Sequence, residues 1–201
     1  METKSSRIIV FGSGGRVGRA AVAEAERRGH KVTAVRRADG EVTDPVAVAR
    51  LAAGHDAAIV AVYDPGARPG EFFPAVARAL AEGLPAAGVK RLVSVGLASV
   101  LPTASGNLLM DTPDYPQEWR EFCTGHGAGT EALRAAAPEA LDWVVLSPAG
   151  DFDHESAPSG AYVIAPAAAD SRITPADFAR ALLDEAELPT LHRTHAGVSA
   201  A

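Results

Sequence analysis

Residues 7–20 read RIIVFGSGGRVGRA, an apolar run that ends in a glycine-rich turn and continues into a helix-forming segment. A strand, a glycine turn and a helix in this order suit a dinucleotide pyrophosphate. Glycine permits the tight turn and lets backbone N–H groups and the helix N-terminus approach the phosphates. A glycine motif alone is weak evidence, but here both flanking elements match. The stretch predicts a dinucleotide site with contacts from Gly12, Ser13, Gly14, Gly15, Arg16, Val17 and Gly18.

The composition limits the possible classes of function. The chain has 201 residues, of which 47% are apolar, which suits one domain with a real core. A net charge of −6 argues against a nucleic-acid-binding surface. The single cysteine, Cys123, excludes a disulfide framework and a cysteine-based zinc site. No apolar run approaches the ~20 residues of a membrane span, and the polar N-terminus is unlike a signal peptide. We expect one cytoplasmic domain over residues 1–201, a monomer or homodimer.

Apolar strands alternate with helices along most of the chain. We predict strands at residues 8–11, 31–35, 57–62, 91–95 and 143–146, and helices at residues 17–28, 45–53, 72–82 and 118–136. Uninterrupted apolar strands that alternate with helices are typical of a parallel sheet covered on both faces. The fold class is therefore expected to be α/β with a doubly wound parallel sheet of the Rossmann type.

The pattern weakens after Pro148. We predict a polar loop at 151–158, a short strand at 161–165 and a helix at 175–187, followed by a frayed tail with His192 and His195 on its surface. A long connection at 96–116 follows a strand. Because loops at the carboxyl ends of strands carry the site in such folds, this connection and residues 148–187 should form the substrate side.

The end of the second strand indicates which dinucleotide is bound. An acidic residue there would bind the ribose 2′-hydroxyl of NAD, but the chain has Arg36 and Arg37. Two guanidinium groups suit a 2′-phosphate, which predicts NADP(H) as the cofactor. Val42 is expected beside the adenine, and Ala61 and Val62 beside the pyrophosphate and the nicotinamide ribose.

The chain resembles the atypical short-chain dehydrogenase/reductase proteins, in particular the NmrA-like and NAD(P)H-binding group that includes biliverdin reductase B-type flavin reductases. The resemblance covers residues 7–187. It rests on GSGGRVG at 12–18, VRR at 35–37, KRLVSVG at 90–96, DTPDYP at 111–116 and LDWVVLSP at 141–148. It implies a Rossmann fold and a nicotinamide cofactor, and it says little about the substrate.

The chain lacks the Tyr-x-x-x-Lys pair that catalytic members of the wider superfamily use. None of Tyr63, Tyr115 and Tyr162 has a lysine four residues on. The family's register puts Phe122 at the tyrosine position and His126 at the lysine position. A phenyl ring cannot transfer a proton, so the usual mechanism is absent. Positions 122 and 126 share a helix face, which makes His126 a candidate acid or base and Phe122 a candidate substrate contact. His126 could equally bind the nicotinamide ribose or be a partly exposed structural residue.

Other candidate substrate contacts follow two of the strands. Tyr63 and Asp64 come directly after the third strand, at the end where ligands bind, and either contact the substrate or simply start the turn at 65–66. Asp151, Phe152 and His154 follow the fifth strand, as a substrate-contacting lid or as a solvated loop. We expect no metal, because neighbours in a flexible loop seldom converge on one ion.

Three functions are compatible with these features. The first is an NADPH-dependent reductase of a small organic molecule, in which positioning drives hydride transfer and the proton comes from solvent or His126. The second is a non-redox isomerase, cyclase or dehydratase of a biosynthetic pathway, with His126 or the carboxylates of 151–155 as acid and base. The third is an NADP(H)-sensing regulatory protein of the NmrA-like type.

Overall fold

A seven-stranded sheet with helices on both faces forms the centre of the computed structural model, which describes residues 5–201. The strands are β1 (Arg7–Phe11), β2 (Lys31–Val35), β3 (Ala57–Val60), β4 (Arg91–Val95), β5 (Asp142–Pro148), β6 (Asp151–Phe152), β7 (Tyr162–Ile164), β8 (Arg172–Ile173) and β9 (Thr194–Ala200). The helices are α1 (Arg16–Arg27), α2 (Pro45–Ala52), α3 (Pro69–Ala86), α4 (Arg120–Ala136) and α5 (Pro175–Glu187).

The strand order is β2-β1-β3-β4-β5-β9-β7, in which β7 alone runs antiparallel to its neighbour. The predicted doubly wound α/β class is therefore confirmed. No helix within residues 5–201 is long and apolar enough to cross a membrane.

The central strands are apolar along most of their length because both faces of the sheet are covered. In β1, Ile9 and Phe11 face one core with α2, α3 and α4, while Ile8 and Val10 face a second core with α1 and α5. Successive side chains of a strand point to opposite faces, so a strand buried on both sides must be a continuous apolar run. This is the pattern on which the sequence prediction depended.

The prediction of a frayed C-terminal tail was wrong. Residues Thr194–Ala200 form β9, which lies between β5 and β7 inside the sheet. The strand reads THAGVSA, and Val198, fully buried, is its one large apolar residue. Pairing with two neighbouring strands stabilises it despite its weak intrinsic preference, a tertiary effect that composition does not reveal. His192 is exposed as expected, whereas His195 lies within the sheet.

Two further boundaries differ from prediction. Helix α3 was expected to end before Gly83 but continues to Ala86. A Cβ on Gly83 would lie 2.6 Å from the carbonyl oxygen of Pro45, so this glycine permits a close contact with α2 rather than ending a helix. Asp151 and Phe152 belong to β6, which pairs with β8, rather than to a loop.

Candidate functional site

The glycine turn between β1 and α1 is a tight backbone cradle. Gly12 has a φ of +81°, and a Cβ there would lie 2.1 Å from the carbonyl oxygen of Ala61. A Cβ on Gly18 would lie 2.1 Å from the carbonyl oxygen of Gly12. The first position therefore needs glycine for its backbone conformation, and the last needs it so that the helix can pack on the turn. Gly14 faces open space, where a Cβ would meet nothing within 4 Å.

The cradle leaves backbone N–H groups available for an anion. Gly15 caps α1, and no side chain of the described residues caps this helix N-terminus. The first N–H groups of a helix have no partner within the helix, so they are free to bind phosphate oxygens. Gly12 and Ser13 both donate backbone hydrogen bonds to the carbonyl oxygen of Val35, each at 3.0 Å. These bonds hold the end of β2 beside the turn.

A cleft of about 270 Å³ runs from the glycine turn to the ends of β2 and β3. Most of the predicted cofactor residues line it: Gly12, Gly14, Gly15, Arg36, Arg37, Val42, Ala61 and Val62. The other four belong to the turn and the first turn of α1 without lining this cleft: Ser13, Arg16, Val17 and Gly18. The buried Ser13 hydroxyl donates to the carbonyl oxygen of Val35, and Gly18 packs against Gly12.

The two arginines at the end of β2 differ in their surroundings. Arg37 Nη2 lies 3.1 Å from the Asp64 carboxylate and donates to the carbonyl oxygen of Tyr63 at 3.3 Å. Its charge is therefore partly neutralised by a residue that follows β3. No ion pair of the Arg36 guanidinium is found among residues 5–201. Arg36 is therefore the cation more available to a phosphate in the cleft.

An aromatic cluster lies at the β3 end of the cleft. Tyr63 is 58% exposed and lines the cleft. Its ring packs edge-on against Phe122, with centroids 5.5 Å apart, and Phe122 packs against Phe73 and His126. Phe122 and His126 therefore share a face of α4, as predicted, and only Phe122 of the two contacts the cleft residue Tyr63. Phe122 cannot donate a proton there, but it can hold the ring of a ligand.

His126 is enclosed rather than exposed to the open cleft. Its ring lies 4.1 Å from that of Phe73, and it lines a small cavity of about 40 Å³ directly behind Val62. Burial lowers the pKa of His126 to about 4. The imidazole is therefore neutral at pH 7, where it can form hydrogen bonds but is not a general acid.

A second histidine, missed by the sequence prediction, stands near His126. His195 of β9, expected on the surface, hydrogen-bonds through Nε2 to the Ser147 hydroxyl at 2.7 Å. Burial, reinforced by His126 and Arg134, lowers the pKa of His195 to about 4. A Cβ on Gly96 would lie 2.9 Å from His195 Nε2, so the glycine that ends β4 makes room for this pair. Only recognition of β9 as a strand could have located His195.

Of the three predicted contacts after β5, only Asp151 lines a cavity, while Phe152 and His154 pack on each other. Asp151 lines a large cavity bordered by the connection after β4. The Phe152 ring packs edge-on against Phe178 of α5 and belongs to the core on that face of the sheet. His154 is exposed and stacks on Phe152. Within residues 5–201, no three His, Cys, Asp or Glu side chains group as a metal site would require.

A parallel sheet with a glycine cradle between β1 and α1, and with basic residues at the end of β2, defines a Rossmann-type dinucleotide-binding protein. The chain belongs to the NAD(P)H-binding family, whose sequence profile matches residues 37–189. A nicotinamide dinucleotide is therefore the class of cofactor. The matched region begins after the glycine turn, so the cradle is independent evidence for the same ligand.

Relatives support this family over nearly the whole chain. The uncharacterized protein YwnB of Bacillus subtilis is 34% identical in an alignment that covers 91% of this chain and 93% of YwnB. The solved structure of a "putative NADH-flavin reductase" from Streptococcus pneumoniae is 25% identical with a TM-score of 0.81, and the match covers 98% of this chain and 100% of that one. A "putative epimerase" from Bacteroides thetaiotaomicron is 27% identical with a TM-score of 0.84 and covers 98% of both chains.

Proposed function

We propose that this protein is an NADPH-dependent reductase of a small organic molecule that works without a Tyr-x-x-x-Lys pair. The observation that carries the proposal is that one cleft joins the glycine cradle to the guanidinium groups of Arg36 and Arg37. The similarity to the Streptococcus pneumoniae structure, described as a putative NADH-flavin reductase, supports a redox reaction rather than a protein that only binds the cofactor. The cytoplasmic location and the monomeric or homodimeric state expected from the sequence are part of the same proposal.

Each part of the cleft has a role in this proposal. The N-terminus of α1 binds the pyrophosphate, and Arg36 binds the 2′-phosphate. The reduced nicotinamide, when bound, supplies a hydride. Tyr63 and Phe122 form an aromatic wall that orients the ring of the nicotinamide or the substrate. The neutral His126 behind Val62 donates or accepts one hydrogen bond but does not hold an acidic proton at pH 7.

Binding and turnover with both nicotinamide cofactors test the proposal. Thermal shifts with NADPH, NADH, FAD and FMN should be largest for NADPH. Absorbance at 340 nm should then fall when a quinone, a flavin, an enone or a simple carbonyl compound is added. Absence of any NADPH binding, or binding without NADPH consumption across all four classes, would contradict a reductase.

The similarity to the putative epimerase from Bacteroides thetaiotaomicron favours a second candidate function, a non-redox reaction on the same fold. An isomerase, cyclase or dehydratase would convert its substrate with no loss of 340 nm absorbance and no added cofactor. Product formation under these conditions, followed by NMR of the substrate, would replace the reductase with this alternative.

A further inference from the structure

A second cavity, of about 740 Å³, lies beyond the dinucleotide cleft. The connection after β4 and the segments after β5 form its walls, so it lies at the carboxyl ends of two neighbouring strands. Tyr115 lines this cavity and contacts Cys123, while Tyr63 of the cleft packs on the adjacent Phe122. The first turn of α4 therefore contacts residues of both spaces. Ligands of open α/β sheets bind at such strand ends.

The walls of this cavity are held in place by hydrogen bonds and apolar contacts. The backbone N–H of Leu109 donates to the carbonyl of Leu101 at 3.0 Å, and that of Ala167 donates to the carbonyl of Pro102 at 2.9 Å. Leu101, Leu109 and Ala167 form a small buried cluster against which Tyr115 packs. The cavity is therefore a formed concave site rather than a gap between solvated loops.

Ser99 is the unusual residue of this cavity. It is 1% exposed, and its hydroxyl has no hydrogen-bond partner of ordinary geometry among the described residues. A buried polar group without a partner destabilises the folded state, so such groups are uncommon unless a ligand completes them. The Ser99 hydroxyl is close enough to the Tyr115 hydroxyl to influence its pKa.

The Tyr115 hydroxyl is also poorly satisfied. It lies 3.5 Å from the Cys123 sulfur, a weak hydrogen-bonding group, and beside the Ser99 hydroxyl, which acts to lower the pKa of Tyr115. Burial, together with the contact to Cys123, raises the pKa of Tyr115 to about 12. The phenol therefore keeps its proton at neutral pH and can act as a donor.

We propose that Ser99 and Tyr115 form a pair of hydroxyl donors that binds the carbonyl oxygen of an uncharged organic substrate in this cavity. The inference rests on the proposed reductase function. A carbonyl oxygen has two lone pairs and can accept both O–H bonds at once. Hydrogen bonds to that oxygen draw electron density from the carbonyl carbon and make it a better hydride acceptor.

The surroundings of the pair favour an uncharged substrate. The Asp151 carboxylate lies close enough to Tyr115 to raise its pKa, so it would repel a carboxylate or phosphate bound there. Arg172, also on the cavity wall, is exposed, and its guanidinium donates to the carbonyl oxygens of Ala169 and Ser171. Leu97 and Leu109 offer apolar surface for the carbon skeleton.

Two probes of the same shape test the proposal on the full chain without cofactor. Acetophenone carries a carbonyl oxygen where α-methylstyrene carries a CH₂ group. Acetophenone should perturb the backbone amide NMR signals of residues 97–116 and 150–151. It should bind about tenfold more tightly than α-methylstyrene, because one hydrogen bond of ~1.4 kcal/mol is a factor of ten. Equal affinity for the two probes, or perturbation confined to the dinucleotide cleft, would overturn the proposal.

Three variants locate the donors. Ser99→Ala and Tyr115→Phe should each weaken acetophenone binding about tenfold and leave α-methylstyrene unchanged. Ser105→Ala is the matched control, because Ser105 lines the same cavity but its hydroxyl contacts that of Thr103. Ser99→Ala should also keep the wild-type midpoint of urea unfolding, because its hydroxyl makes no hydrogen bond of ordinary geometry and its polar neighbour is the Tyr115 hydroxyl with which it is proposed to act. A large loss of stability would mean that Ser99 has a structural partner, and the inference would fail.

This test separates the inference from the proposed function. If NADPH binds and reduces a ketone while both probes bind equally, the hydroxyl pair is wrong and the reductase stands. If acetophenone binds through Ser99 and Tyr115 but NADPH does not bind, the cavity stands and the reductase fails.

Discussion

Single residues of the glycine turn are constrained to different degrees. Gly12→Ala and Gly18→Ala should each destabilise the protein by more than ~2 kcal/mol, because each new Cβ would lie 2.1 Å from a backbone oxygen.

Gly14→Ala should stay within ~1 kcal/mol of wild type but weaken NADPH binding, because its methyl group would project into the open cleft. Urea unfolding and NADPH titration measure the two effects. A stable Gly12→Ala variant would show that the described turn is wrong.

The two arginines of the cleft should contribute unequally to cofactor choice. Arg36→Ala should weaken NADPH at least tenfold and NADH by less than twofold, because the 2′-phosphate loses a charge-assisted hydrogen bond. Arg37→Ala should have a smaller effect, since Asp64 already pairs with Arg37. Isothermal titration with both cofactors measures the difference.

Asp64→Asn provides the matched control for the arginine prediction. It leaves Arg37 without its charged partner, so NADPH affinity should rise while NADH affinity stays the same. Equal losses of NADPH and NADH affinity in the Arg36 variant would remove the 2′-phosphate from the assignment.

For single residues, the sequence was sufficient to predict a role where that role depends only on neighbours in the chain. The positions of Gly12 and Gly18 follow from a strand, a turn and a helix that are adjacent in the chain. Asp64 as the partner of Arg37 depends on residues brought together from distant segments, and the nearness of Ser99 to Tyr115 depends on how the connection after β4 folds. No spacing rule in the sequence encodes those contacts.

Among the elements, β9 lies inside the sheet although its sequence did not predict a strand. Val198→Ala should lower the unfolding free energy by about 2 kcal/mol, because Val198 is fully buried between the sheet and its helices. The matched control is Val163→Ala on β7, whose side chain is largely exposed, with an expected loss below ~1 kcal/mol. Equal losses in urea unfolding would indicate that the tail does not form this strand.

Prediction of elements succeeded where the apolar pattern was strong. The strands β1, β3, β4 and β5 are largely apolar, and they and the more exposed β2 were found close to their observed bounds. The strand β9 has small residues at most positions, so its burial comes from its neighbours rather than from its own hydrophobicity. The end of α3 was misplaced because Gly83 serves a helix contact, which a sequence cannot distinguish from a C-terminal cap.

For the whole molecule, stability should depend on pH through two partly buried histidines. His126 and His195 each have a pKa of about 4 in the folded protein, lowered mainly by burial, against ~6.5 in an unfolded chain. Between these values only the unfolded state takes up the protons, so the unfolding free energy falls as pH decreases from 6.5 to 4. Each histidine contributes up to ~1.4 kcal/mol per pH unit.

Urea unfolding at pH 7, 6 and 5 measures this dependence. His126→Gln should reduce the slope to about half, whereas His154→Gln, on an exposed side chain, should leave it unchanged. A hydrogen bond from Arg27 lowers the pKa of the Glu24 carboxyl to about 2. The stability that Glu24 contributes is therefore lost only below pH 5, outside the range of this measurement. A flat profile from pH 7 to 5 would contradict the burial of both rings.

The position of β9 has a consequence for how the chain acquires its fold during synthesis. The strand pairs with β5, about fifty residues earlier, and also with β7. Until Thr194–Ala200 has left the ribosome, one edge of β5 has no neighbour, and unpaired edges of this kind promote pairing between chains. A chain interrupted before residue 194 is therefore expected to aggregate through β5, even though its glycine turn and dinucleotide cleft are already encoded.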